Sequence, residues 1–120
     1  MNRYKDLFRI EKYEDESHVC FSKTLNGKEI EEPYTIPESI FSRIMFIGRA
    51  YTLHYLSVLE PGREFDLNKT QAQAFIDELH FLLSIVNDRI LDHYVNPLIK
   101  FVESIIFHPK AYSLSIQGNS

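Results

Sequence analysis

Five histidines, a single cysteine and seventeen acidic residues are the side chains with which this 120-residue chain could do chemistry. Spacing decides whether they can. The chain has no HExxH or CxxC ligand pair, no GxSxG nucleophile turn and no phosphate-binding glycine loop. The nearest approach to a site is "NDRILDHY", where Asp88 and Asp92 stand one helical turn apart with His93 beside them. Carboxylates at i and i+4 repel each other, and a bound metal or cation would relieve that. The plainer reading is an acid-rich helix start favoured by the helix dipole. His18 shares a strand face with Cys20, but without a basic surround Cys20 reads as a small hydrophobe. His54 and His80 border apolar stripes and read as half-buried groups, not acid–base catalysts. No catalytic residue, metal or cofactor is therefore expected, and the chain is expected not to be an enzyme.

Two other groupings suggest binding. In "KTLNGKEIEE", Glu29, Glu31 and Glu32 load the return strand of a hairpin with negative charge. Singly they are edge protection and solubility devices; together they offer a surface to a basic partner. The second grouping is Asp77, Phe81, Ile85 and Asp88, which recur at helical spacing opposite an apolar stripe. An apolar pair flanked by acids resembles an interface anchor with a charged rim. The alternative is that Phe81 and Ile85 pack beneath the sheet or a third helix.

The elements that must position these residues follow from periodicity. "YKDLFRI" (4–10) and "HVCFSKTL" (18–25) alternate as strands. Asn26-Gly27 is a strong type I′ hairpin signal, with a return strand over 28–34 in which Ile30 faces Lys23 and joins the core side. Thr35 and Glu38 have capping-box spacing and Pro37 suits a first turn, opening a helix that the apolar period carries to Leu59 before Pro61-Gly62. Phe46, Ala50 and Leu53 form a second apolar row, which predicts a first helix buried on more than one side. Asn68 with Gln71 starts a second helix, and Ile90 to Ile105 carry a third that Pro97 should kink or restart. "AYSLSIQG" alternates as a closing strand. The expected fold is one α+β domain over residues 1–120: a small antiparallel sheet, made of an N-terminal hairpin or meander plus the C-terminal strand, packed on a three-helix layer.

Composition sets outer limits. At this length about two-thirds of the unfolded surface can be buried around one core. The longest apolar stretch, "IMFIGRAYTLHYLSVL", is broken by Arg49 and His54 and falls short of the roughly 20 residues a bilayer needs, so no membrane span is expected. A net charge of −4 without clustered Lys and Arg argues against nucleic-acid binding. One cysteine and an N-terminus without an apolar leader favour the cytoplasm.

"FDLNKTQAQAFIDELHFLLSIVND", then "NPLIKF" and the closing "LSIQGN", roughly the C-terminal half of the chain, resemble small bacterial immunity proteins encoded beside polymorphic or contact-dependent toxins. The resemblance implies a cytoplasmic protein that binds and neutralises one cognate toxin domain, often a nuclease and hence basic where it grips phosphate. Such families share no catalytic residues, so the resemblance assigns no site. The competing expectations are a self-associating structural or regulatory module, a homodimer through the first helix or an open sheet edge, and a small enzyme or metal binder using Asp88, Asp92 and His93.

Overall fold

Asn26 and Gly27 adopt φ of 54° and 80°, the pair of positive values that a type I′ turn demands. They join β1 (His18–Leu25) to β2 (Lys28–Glu29) in a computed structural model that describes residues 17–56 and 64–118. The return strand is not the continuous 28–34 segment expected. It leaves the ladder after Glu29 and rejoins β1 as β3 (Tyr34–Pro37). Thr24 faces Glu29 while Phe21 faces Tyr34, so residues 30–33 span what Ser22 and Lys23 alone cover on β1. Pro33, which has no N–H to give a ladder, lies in this excursion. Two extra residues preserve the period-2 alternation, and Val19, Phe21 and Ile36 all stay buried.

Within that excursion Ile30 pairs with Lys23 as expected, its N–H donating to the Lys23 carbonyl at 2.8 Å. The burial is reversed, however. Ile30 is exposed, while Lys23, on the core side of β1, is only 5% exposed. Its ammonium reaches Glu31 at 3.3 Å and stands 5.5 Å from the Tyr112 ring centroid. The aliphatic stem thus covers the core margin while the ammonium, itself nearly covered, is held by the exposed Glu31 at the rim.

The sheet is antiparallel throughout, in the order β2–β1–β5–β4, with β3 sharing the β1 edge used by β2. β5 (Ser113–Gly118) is the expected C-terminal strand and returns to β1. β4 (Glu64–Leu67) was not foreseen from the sequence. The strand expected over 4–10 lies outside the described residues.

Three helices, α1 (Glu38–Ala50), α2 (Lys69–Ile85) and α3 (Arg89–Ile106), form the second layer, giving the α+β architecture. Phe21 meets Phe41 of α1 edge-on at 6.1 Å and stacks on Phe75 of α2 at 6.4 Å, locking the sheet to both helices. α2 starts on the expected capping box: the Asn68 side chain accepts from Gln71 N–H at 2.8 Å and the Gln71 side chain accepts from Asn68 N–H at 2.9 Å. α3 runs unbroken through Pro97, which sits on the exposed side where a lost backbone hydrogen bond costs least.

α1 departs from expectation three times. Thr35 is in β3 opposite Cys20, so no capping box forms and Pro37 precedes the helix without a side-chain cap. Phe46 is 73% exposed and Ala50 is exposed, so the helix buries one side only, through Ile40, Phe41, Ile44, Met45 and Gly48. Finally, it stops at Ala50, well short of Leu59. Leu53 N–H donates to Gly48 C=O at 2.8 Å and Thr52 N–H to Arg49 C=O at 3.2 Å, a Schellman ending with Thr52 at φ 52°. The chain then folds back so that Leu56 packs on Gly48, where a Cβ would collide with the Leu56 side chain and backbone.

Candidate functional site

The hairpin acids are placed by the interrupted edge. Glu29, Glu31 and Glu32 are all exposed. Glu29 lies opposite Thr24, hence on the sheet face turned away from the helices. Glu31 is steered by Lys23 toward the rim. Glu32 sits in the 30–33 excursion. The negative field of Glu29 is felt at Cys20: burial first, and then the Glu29 carboxylate, push the thiol above its ordinary value. A thiol held protonated in this way is the opposite of an activated nucleophile.

Phe81 stands at the seam between α2 and the end of α1, and neither it nor Ile85 is buried. They remain 41% and 38% exposed, and Phe81 meets Tyr51 edge-on at 5.8 Å. The seam is pinned at both ends. Glu78 accepts from Tyr55 N–H at 3.0 Å and Leu56 N–H at 2.9 Å, and Arg43 pairs with Asp88. Asp77 is exposed and accepts from Gln73 at 3.2 Å. Asp88 is not on the α2 surface where its spacing placed it. α2 ends at Ile85, and Asp88 caps α3, accepting from Ile90 N–H at 2.9 Å and Leu91 N–H at 3.2 Å. The predicted rim acid is thus a helix cap and an ion-pair partner.

The two predicted groupings do not converge. Leu67 pairs with Leu114, which pairs with Lys23, so α2 begins at the hairpin end of the sheet. Phe81 follows Lys69 by twelve residues, about 18 Å along the axis. The far end of α2 lies near the start of β1 instead, because Asp88 meets Arg43 of α1 and α1 itself opens with Glu38 N–H on Ser17 C=O at 2.8 Å. Hairpin acids and seam aromatics are separate patches.

Other titratable groups serve the fold. Tyr34 donates its hydroxyl to Tyr94 C=O at 2.7 Å, with its ring 6.3 Å from Phe101. Burial, with a smaller share from Tyr94, pushes its phenol up to about 12. His93 packs edge-on against Tyr94 at 5.0 Å. Among the described residues no group of three or more His, Cys, Asp or Glu side chains is placed to hold a metal, and no helix is long and apolar enough to cross a membrane.

No family model, curated protein or solved structure matches this chain.

Two acids escaped the sequence reading. Glu64 and Asp66 project from β4 on the same outer face as Glu29, since Asp66 pairs with Ser115 and Glu64 with Gln117, partners of Ser22 and Cys20. The signal was present in "EFDL", whose acids alternate with Phe65 and with the buried Leu67. The outer sheet face therefore carries carboxylates at both margins, from Glu29 on one side to Glu64 and Asp66 on the other.

Proposed function

We propose that this chain is a non-enzymatic inhibitor that binds one protein partner, an immunity protein acting in the cytoplasm on a cognate toxin domain with a basic contact face. The observation that carries the reading is the exposed row of Glu29, Glu31 and Glu32 on a sheet edge too irregular to extend another sheet. Charge of this kind steers a basic partner in at rates above the neutral baseline and sets its register. A nuclease partner would have its nucleic-acid groove occupied by carboxylates standing in for phosphates. Phe81 and Ile85 supply a second, apolar patch on α2, separate from the hairpin acids.

The test is capture of partners by the tagged full chain from its source cells in moderate salt, followed by titration of whatever binds stoichiometrically. Simultaneous Glu29→Lys, Glu31→Lys and Glu32→Lys should weaken that complex at least ten-fold, mostly through slower association. An affinity and association rate unchanged by the triple reversal would sink the reading.

A second reading, a self-associating module, is favoured by Phe46, an aromatic ring 73% exposed on a helix face that no described residue covers. It requires concentration-dependent sedimentation at micromolar protein that Phe46→Ser abolishes; a monomer throughout that range excludes it.

A further inference from the structure

The hairpin turn sets an amide carbon beside a free backbone nitrogen. Asn26 and Gly27 are both exposed, and nothing stands within 4 Å of where a Cβ on Gly27 would be. Among the described residues the Asn26 side-chain amide makes no hydrogen bond, and neither does the Gly27 N–H. The pair that closes the turn is Leu25 with Lys28. Ile30 N–H on Lys23 C=O at 2.8 Å, two residues further along each strand, fixes that phase, so the ladder passes over Gly27.

The other described asparagines each lack one part of this arrangement. The Asn68 side-chain oxygen is held by Gln71 N–H at 2.8 Å in the capping box. Asn96 donates to Asp92 C=O at 3.1 Å and precedes Pro97, whose nitrogen carries no proton. Asn87 is followed by Asp88, whose side chain crowds the nitrogen that would have to react.

While closed, the turn protects itself. A type I′ turn mirrors type I, which puts ψ of Asn26 near about 30° and carries the Gly27 nitrogen away from the Asn26 side chain. A bond between them forms only after the turn opens. Little holds it shut: β2 is two exposed residues, Lys28 and Glu29, paired with Leu25 and Thr24, and the chain leaves the ladder again before Tyr34. So short a strand with solvent-exposed backbone bonds opens at small cost.

We propose that Asn26-Gly27 is a site of spontaneous deamidation, gated by the opening of β2, whose main product uncouples β2 from β1 and leaves the core intact. The Gly27 nitrogen gives its proton to hydroxide and attacks Asn26 Cγ. The N–Cγ bond forms, the Cγ–Nδ2 bond breaks, and the side-chain nitrogen takes up a proton from water and leaves as ammonia. One water then opens the five-membered imide. Attack at Cγ gives aspartate, and attack at the main-chain carbonyl gives isoaspartate; nothing is oxidised or reduced. Isoaspartate adds one carbon to the main chain, which a two-residue turn that sets strand register does not accommodate. Val19–Ile36 and Phe21–Tyr34 pair beyond the 30–33 excursion and are untouched.

The full chain is incubated in mildly alkaline buffer, sampled over time and cleaved with trypsin, which releases residues 24–28 as one peptide. Mass spectrometry follows the exchange of amide for acid, and chromatography separates the aspartyl and isoaspartyl forms. Conversion at Asn26 should rise in proportion to hydroxide, run mostly to isoaspartate, and leave Asn68, Asn87 and Asn96 intact over the same period. A free peptide of residues 20–32 should convert about ten-fold faster than the folded chain, because reaction passes only through the open state. In ¹⁵N spectra of the aged chain the amides of Lys28 and Glu29 should move while those of Val19, Phe21 and Ile36 stay. Freshly purified Asn26→Asp adds the charge without the carbon and tolerates the left-handed backbone, so it should keep the native pattern. No conversion at Asn26, or equal conversion at Asn87, would overturn the site. A folded chain as reactive as the peptide would overturn the gate, and unmoved Lys28 and Glu29 amides in the isoaspartyl chain would overturn the uncoupling. None of these outcomes depends on whether a partner is captured.

Discussion

Replacing Thr52 with glycine should stabilise the protein. Thr52 occupies the left-handed position after α1 at φ 52°, where an L residue is disfavoured by about 1–2 kcal/mol and a β-branched one by the upper part of that range. Glycine adopts this conformation freely and is the residue a Schellman ending usually carries. Against the relief stands the larger freedom of glycine in the unfolded chain, about 0.5–1 kcal/mol. Loss of the exposed Thr52 hydroxyl bond to Tyr51 C=O, 2.7 Å long, subtracts a few tenths more at most. The net expectation for Thr52→Gly is a gain of about 0.5–1 kcal/mol, read as a higher urea midpoint at unchanged slope and a Tm raised by about 2–4 °C. Thr52→Asn, the next best occupant, should fall between glycine and threonine. If glycine proves no more stable than threonine, or asparagine exceeds glycine, the left-handed ending is not what terminates α1 and the reasoning fails.

Gly48→Ala should destabilise by about 1–3 kcal/mol, because the added methyl meets Leu56 side-chain and backbone atoms that cannot simply rotate away; urea unfolding at constant slope checks it, and a neutral result would mean that Leu56 is not seated there. Tyr34→Phe should cost about 1 kcal/mol at neutral pH through the lost bond to Tyr94 C=O. The wild-type phenol also predicts a pH dependence. With its folded value raised from 10.0 to about 12, the unfolded chain gives up the proton first, so Tyr34's share of stability is full below pH 10 and is lost as pH rises toward 12. Unfolding curves from pH 9 to 12 should show a steeper decline for wild type than for Tyr34→Phe, and parallel curves would contradict the assignment.

What could be read in the sequence was local. Asn26-Gly27 and the Asn68–Gln71 capping box place all the atoms of their signal within four residues, and both form as written. The ending of α1 was illegible for the opposite reason. Thr52 is no stop residue by type; the chain turns there because Leu56 finds Gly48 and because Glu78, 22 and 23 residues away, holds the N–H groups of Leu56 and Tyr55. Pairing of Ile30 with Lys23 followed from turn geometry, but which of the two would be buried depended on Tyr112 and Glu31 receiving the lysine's charge. At the candidate sites, the exposure of Glu29 and Glu31 was legible from alternation and turn type, whereas the same alternation would have turned Glu32 to the side of Ile30. Glu64 and Asp66 were not legible, because four residues give too short a pattern to stand out before an adjoining helix start. Asp88 showed the limit of helical spacing as an argument: the period carried past Ile85 on paper, while the backbone had already ended one helix to begin the next.

The four-against-two excursion at residues 30–33 has a consequence for how this edge can vary. Side chains in a strand alternate with a period of two, so adding or removing residues there in pairs leaves Tyr34 and Ile36 on their present side, while an odd change would turn Ile36 out to water. The excursion thus works as a phase-preserving spacer between turn and core. Its length and its charges can be rewritten in even steps, and with them whatever the edge recognises, while Val19, Phe21 and Ile36 continue to pack as before.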